Sequence, residues 1–330
     1  MANTTGLARR AVLRGAALGA LGSLGAAWIA RPARAQSAWP ERPVRIVVPY
    51  APGGSADTLG RLVALQLQNA LRQPFVTDNR AGAGGTVGSQ QVSKAAPDGY
   101  TLVVSGIGSH VIAPVESKAY NPVTDFTHIA MLGGPPTALA VHPSVAASNL
   151  RELIAHLQRE KDVSWGSSGQ GTHAHLLGEL FWRTAGIAHT HIPYKGGSPA
   201  IADLVGGQIP AAFTTFTSAN AQIQAGRLKC LAITAESRLP DYPSLPTFAE
   251  QGYGRLTAMT WFSLSGPPGM PAAIVDRLNA EVRRALRTEA ARKVLVQEAI
   301  ETRDWDPATF TNYVRSEVER WQPLVASLRR

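Results

Sequence analysis

The sequence holds a single cysteine, Cys230, in 330 residues. No disulfide can close within one chain, and no zinc site that needs two or more thiolates can be built. Charge is sparse too: 17% of residues are charged and 45% hydrophobic, a globular balance with ample material for a buried core. Acids are missing altogether from the first 35 residues, which carry Arg9, Arg10, Arg14, Arg31 and Arg34. The remainder has 27 basic residues against 23 acids, so the formal charge of +9 shrinks to +4. With no basic cluster in that remainder, a nucleic-acid partner is not expected. Long apolar runs are lacking as well. The longest, after Arg14, spans about 15 residues, whereas a membrane helix needs about 20.

The acid-free segment has the build of an export signal. Arg9 and Arg10 make a basic start, Ala11 to Ala30 is rich in Gly, Ala and Leu, and Ala33-Arg34-Ala35 is an A-x-A cleavage pattern. Adjacent arginines followed by Val12 and Leu13, and a glycine-rich core, resemble a twin-arginine signal; the general secretory route is the alternative. Cleavage is expected near Ala35, leaving a periplasmic protein that begins near Gln36.

Beyond it, short β-branched runs alternate with helical patterns. Val44 to Val48 reads as a strand, and Leu59, Leu62, Val63, Leu67 and Leu71 share one helical face. Strands are expected at Thr101 to Ser105, Leu139 to Val141, Val163 to Trp165, Ala211 to Phe213 and Leu228 to Thr234. Helices are expected at Leu150 to Gln158 and His173 to Thr184. This alternation predicts parallel sheets with helices on both faces. The last 60 residues carry only helical patterns, over Pro271 to Leu286 and Pro307 to Leu328, and must cover a sheet made earlier. The expected division is a signal over 1–35, a first domain from 36–137 plus 258–330, and a second over 138–257. Gly133-Gly134-Pro135-Pro136 and the stretch near Thr257 to Ser265 are the expected crossings.

Chemistry is expected where strands end and glycines begin. Pro49-Tyr50-Ala51-Pro52-Gly53-Gly54-Ser55-Ala56-Asp57 runs from a strand into a helix, so unpaired N–H groups and the positive end of the helix dipole face the crevice beyond the sheet. Asn79-Arg80-Ala81-Gly82-Ala83-Gly84-Gly85 has the same logic. Its dinucleotide fingerprint fails, because the third glycine falls on Val87. Ser167-Ser168-Gly169-Gln170-Gly171-Thr172 and Tyr194-Lys195-Gly196-Gly197-Ser198 repeat the theme in the second half.

Catalytic readings are weaker. Gly166-Ser167-Ser168-Gly169-Gln170 misses the G-x-S-x-G elbow at its last position. His189 and His191 face one way on a strand but have no acid nearby in sequence, while His173 and His175 do not share a helix face. Trp165, Trp182 and Trp261 read as core, and Cys230 as a small buried side chain. No catalytic residue, metal site or cofactor is expected. The competing function is an exported α/β enzyme, hydrolytic or cofactor-dependent, acting on a small carboxylate.

These loops, with Pro97-Asp98-Gly99-Tyr100-Thr101-Leu102, Pro193-Tyr194-Lys195-Gly196 and Pro246-Thr247-Phe248-Ala249-Glu250-Gln251-Gly252, resemble the substrate-binding proteins of tripartite tricarboxylate transporters, the Bug receptors. The match runs in order from about Trp39 to the C-terminus. It implies a two-domain clamshell, each domain a mostly parallel sheet flanked by helices. Such a protein holds a small di- or tricarboxylate, hydroxy acid or aromatic acid between its domains and delivers it, as a monomer, to the permease subunits of the transporter. Carried over by position, the first-domain site is Tyr50, Gly53, Gly54, Ser55, Ala56, Asp57, Gly84 and Gly85, with Ser109, its two loops gripping one carboxylate. The second domain gives Ser168, Thr172 and Lys195, the last as a rim charge. Where the family often has an acidic residue after the strand ending at Phe213, Thr214 and Thr215 stand here. One of their hydroxyls is expected in the cleft, which argues against a ligand with an ammonium group.

Overall fold

The computed structural model describes residues 39–159 and 163–327. The expected export signal over 1–35 and its cleavage point near Ala35 lie outside the described residues. From Arg42 onward the chain is built on two five-stranded sheets. The first comprises β1 (Val44–Val48), β2 (Phe75–Asn79), β3 (Thr101–Gly106), β4 (Thr127–Gly133) and β10 (Phe262–Gly266), in the order β2-β1-β3-β10-β4. The second comprises β5 (Thr137–Val141), β6 (Val163–Ser167), β7 (His189–Pro193), β8 (Ala211–Thr215) and β9 (Lys229–Ile233), in the order β7-β6-β8-β5-β9.

The two orders are the same order. Each sheet takes its own four strands and admits a fifth, β10 or β5, between the third and fourth. That fifth strand is the one that has just arrived from the other lobe, and it runs antiparallel to both neighbours. The other ladders, β1 with β2 and β3, and β6 with β7 and β8, are parallel, as the strand and helix alternation predicts. The reversal has a geometric cause. A chain crossing directly between lobes enters at the cleft, where the parallel strands end, so it must run away from it. Accordingly Thr137, the first residue of β5, pairs with Thr215 at the end of β8, and Phe262 opens β10 opposite Gly106 at the end of β3.

The stretch near Thr257 to Ser265, expected as a crossing, also contains the start of a central strand. Its alternating Ser263 and Ser265 look exposed in sequence, yet both are fully buried, paired with Ser105 Oγ at 2.6 and 2.8 Å. Buried hydroxyls are tolerated because each has a partner.

Ten α-helices are described: α1 (Ser55–Leu71), α2 (Thr86–Ser93), α3 (Ala113–Ser117), α4 (Leu150–Leu157), α5 (His173–Ala185), α6 (Gly197–Val205), α7 (Phe216–Gln224), α8 (Ala272–Leu286), α9 (Glu289–Gln297) and α10 (Pro307–Ser327). In α1 the buried Leu59, Val63, Leu67 and Leu71 recur every four residues, and Leu62 is half-buried. Arg72, left-handed at φ 57°, ends it. The C-terminal helices cover the first sheet, α8 and α10 both packing on β4. One apolar cluster joins Phe310, Val314, Trp321 and Val325 of α10 to Trp261 and Val111, and reaches Trp165, Phe181 and Phe213 in the second lobe. Each such side chain contributes about 1.5–3 kcal/mol by burial. Glu317, also buried, accepts the indole N–H of Trp261 at 3.0 Å and of Trp321 at 3.2 Å.

Candidate functional site

Four helices begin at one place. α1 starts after Gly54, α5 after Thr172, α6 after Gly196 and α7 after Thr215, and residues of all four starts line a cavity of about 50 Å³ between the lobes. Three of these starts, at Gly54, Gly196 and Thr215, have no capping side chain. By contrast α4 and α9, which point elsewhere, are capped by Asn149 and Thr288. An uncapped N-terminus leaves first-turn N–H groups for another acceptor and carries roughly +0.5 of a charge. No Lys, Arg, Asp or Glu lines this cavity. Any positive charge that an anion meets there belongs to the backbone N–H groups of the helix starts.

The lobes clasp each other around it. Ala51 N–H donates to the Lys195 carbonyl at 2.9 Å, and Ser55 Oγ donates to Thr215 Oγ1 at 2.6 Å, which also meets Ser218 Oγ at 3.0 Å. Gly84, at φ +63°, approaches so closely that a Cβ there would lie 2.3 Å from the Gln170 carbonyl oxygen. Gly54, in contrast, is extended at φ −96°, and its missing side chain leaves space rather than permitting a special turn.

The residues picked out in the sequence fall into three groups. Tyr50, Gly54, Ser55, Ala56, Ser168, Thr172 and Thr215 line the inner cavity. Gly84, Gly85 and Lys195 line a second, outer chamber of about 250 Å³, which Tyr50 and Ser168 share. The two first-lobe loops, expected to grip one carboxylate, thus open onto different compartments. Gly53, Asp57, Ser109 and Thr214 line neither. Asp57 is 4% exposed and works behind the loop, where it accepts Gly53 N–H at 3.0 Å, Arg61 Nε at 2.9 Å and Asn79 Nδ2 at 3.0 Å. Burial pushes its pKa up, but these donors, Arg61 foremost, outweigh that and hold it below the usual carboxylate value. Ser109 is fully buried near His110 Nδ1 at 3.2 Å, and Thr214 Oγ1 donates to the Thr215 carbonyl at 3.1 Å.

Residues 59–329 match the family model described as the tripartite tricarboxylate transporter family receptor. The chain belongs to this receptor family. Protein BugT of Bordetella pertussis is 35% identical over 303 residues, covering 91% of this chain and 93% of that one. Among solved structures, an R. palustris protein with adipate shares 31% identity at a TM-score of 0.84, covering 88% and 98% of the two chains. MatC from Rhodopseudomonas palustris, with bound malate, shares 32% at 0.83, covering 87% and 99%. At these levels the two-domain fold is shared.

The receptor also places residues in the cavity that sequence reasoning passed over. His173, 2% exposed, lines it at the start of α5, with Nδ1 3.0 Å from Thr260 Oγ1 and its ring edge-on to Trp321. Burial, then the charge of Arg320, lowers its pKa to about 3, so the ring is neutral. Ser218 reaches the cavity from the first turn of α7. His189 and His191 do meet an acid in space, since His189 Nε2 lies 3.3 Å from Glu179 Oε2, and His191 Nε2 lies 2.7 Å from Ser167 Oγ. Among the described residues no cluster of His, Cys, Asp or Glu has the geometry to hold a metal. Cys230 is half-buried, and burial raises its thiol to about 12, which removes it as a nucleophile.

Proposed function

We propose that this receptor captures a small carboxylate in the periplasm, closes its two lobes over it and hands it to the permease subunits of a tripartite tricarboxylate-type transporter. It acts as a monomer, after removal of residues 1–35, with a first lobe of 36–137 plus 258–330 and a second of 138–257. The observation that carries this reading is the convergence of four helix N-termini on a cavity without charged side chains. An anion satisfies the N–H groups of the three uncapped starts, whereas a buried ammonium would face no carboxylate at a cost of several kcal/mol. Adipate and malate in two solved relatives support the ligand class. The sequence signal supports export, and among the described residues no helix is long and apolar enough to cross a membrane. A hydrolytic reading finds less support, because the close Ser167–His191 pair lines neither compartment.

The test is calorimetric titration of ligand-stripped protein with paired acids, succinate against aspartate and benzoate against aminobenzoate, supported by thermal shift. The carboxylate alone should bind and raise stability by about 2.7 kcal/mol at 100 times its Kd, without turnover. Tighter binding of the amino member in each pair, or no response to any acid, overturns the reading.

A further inference from the structure

The glycine loop that joins β6 to α5 meets the cavity on one side and is pinned from the other. Ser168 lines both compartments, Thr172 lines the inner one, and the Gln170 carbonyl faces Gly84 of the opposite lobe. Little in the loop's own backbone fixes it. Gly169 and Gly171 stand at φ +130° and +73°, a region that glycine enters and leaves at little cost.

Behind the loop stands a stack of rings. β6 and β7 pair with Trp165 opposite His191, so the strand period puts Trp165, Ser167 and His191 on one face of the second sheet. His175, in the first turn of α5, closes the stack: its ring lies 4.2 Å from that of His191, which lies 4.6 Å from the fully buried Trp165. Each histidine secures one loop amide. His175 Nδ1 accepts the Gly171 N–H at 3.3 Å, which leaves the ring's own N–H on Nε2, 3.9 Å from Glu179 Oε1. His191 Nε2 lies 2.7 Å from Ser167 Oγ, and that oxygen accepts the Gly169 N–H at 3.1 Å.

We infer that His175 and His191 are positioning residues for ligand binding: they hold the amides of Gly171 and Gly169, one directly and one through Ser167, so that Ser168 and Thr172 stand ready at the cavity. This rests on the carboxylate reading above and deepens it, by naming what pre-organises the second lobe's share of the site. Neither histidine lines a compartment. A loop held in place before the ligand arrives need not be ordered by it, so that ordering cost no longer opposes binding.

The experiment separates hydrogen bonding from ring packing. His175→Leu and His191→Leu remove both, whereas His175→Asn and His191→Gln remove the ring but return a polar atom to the place of Nδ1 or Nε2. Ser167→Ala breaks the second link and leaves both rings intact. Each variant, its folding confirmed by a melting curve, is titrated with succinate, malate and adipate, and amide exchange at Gly169 and Gly171 is followed without ligand. The Leu variants and Ser167→Ala should weaken every acid that wild type binds at least tenfold, about 1.4 kcal/mol. They should also speed exchange in the loop at least tenfold while the strands of the second sheet stay protected. His175→Asn and His191→Gln should remain within about threefold of wild type on both readouts. Equal loss in the Leu, Asn and Gln variants would assign the effect to packing and overturn the inference. Unchanged loop exchange in folded Ser167→Ala overturns it even if both Leu variants fail to fold. If no acid binds wild type, the carboxylate reading falls, and the exchange rates still decide whether the histidines hold the loop.

Discussion

The two lobes share a strand order but furnish the cavity differently. The first lobe contributes one helix start, that of α1, braced from behind by Asp57, Arg61 and Asn79. Its nearby hydroxyls are engaged, Tyr50 with Gly84 and Ser55 with Thr215, as are Thr172, Thr215 and Ser218 in the second lobe. The second contributes three helix starts, of α5, α6 and α7, and with them Ser168, Thr172, Thr215, Ser218 and His173. A braced backbone turn suits a group common to every ligand, the carboxylate. A spread of side chains on three separate helices suits whatever distinguishes one ligand from another. The difference suggests where affinity and selectivity are separately encoded, and each prediction below strains one side of it.

Acid should act most strongly, and on both lobes at once. Each lobe encloses two neutral histidines: His110 and His128 in the first, His173 and His191 in the second. Burial lowers His110 well below its ordinary value and His128 to about 4; burial and neighbouring charges take His173 and His191 to about 3. A histidine depressed in the fold contributes stability that is complete above the unfolded value near 6.5 and is lost as pH falls below it, by about 1.4 kcal/mol per group per pH unit. Urea unfolding should therefore show stability several kcal/mol lower at pH 5 than at pH 7. A midpoint that stays constant across that window would contradict the buried neutral state.

The next effect targets the clasp. Gly84→Val adds a branched side chain at φ +63° and 2.3 Å from the opposite lobe, so the protein should fold but not close. We expect ligand affinity to fall at least 100-fold, about 2.7 kcal/mol, and the ligand-induced decrease in radius of gyration to vanish in small-angle scattering. Retained compaction would show that closure does not pass through this contact. Asp57→Asn removes the brace from α1 and should lower stability at pH 7 by about 2 kcal/mol. Because the carboxylate is held below its ordinary value, its contribution is present above about pH 4 and lost as pH falls through the folded value, so wild type and variant should converge in acid. All ligands should weaken together. Ser218→Ala, in the second lobe, should be mildest, about 1 kcal/mol or fivefold, and should reorder ligands rather than weaken them uniformly. Uniform weakening by Ser218→Ala would erase the contrast between the lobes.

What was legible in the sequence follows the same divide. Strands such as Val44–Val48 and Thr101–Gly106 read directly because parallel strands buried on both faces are nearly continuous apolar runs. β10 did not read, because its Phe-Ser-Leu-Ser-Gly pattern looks half-exposed until Ser105 arrives to pair with both serines. The glycine loops that open the helices were legible, since the donors belong to the backbone and only the glycines need be recognised. Asp57 illustrates the limit: a first-turn acid beside a binding loop reads as either ligand contact or brace, and Asn79, 22 residues on, decides its hydrogen bonding. His173 and Ser218 were missed because their place in the cavity depends on how α5 and α7 dock, which no local spacing records.

The guest strand in each sheet also dictates an order of assembly. Every strand of the second sheet lies within the continuous stretch from Thr137 to Ile233, so that sheet can be completed as soon as its own segment is available. The first cannot: β3 and β4 are held apart until β10 fills the gap, and Ser105 waits for a partner 158 residues later. Closing so long a loop is entropically slow, and the row between β3 and β4 stays open as a pair of raw strand edges meanwhile. The lobe nearest the N-terminus is thus the last to finish. That vulnerable interval ends only when β10, at Phe262–Gly266, has arrived.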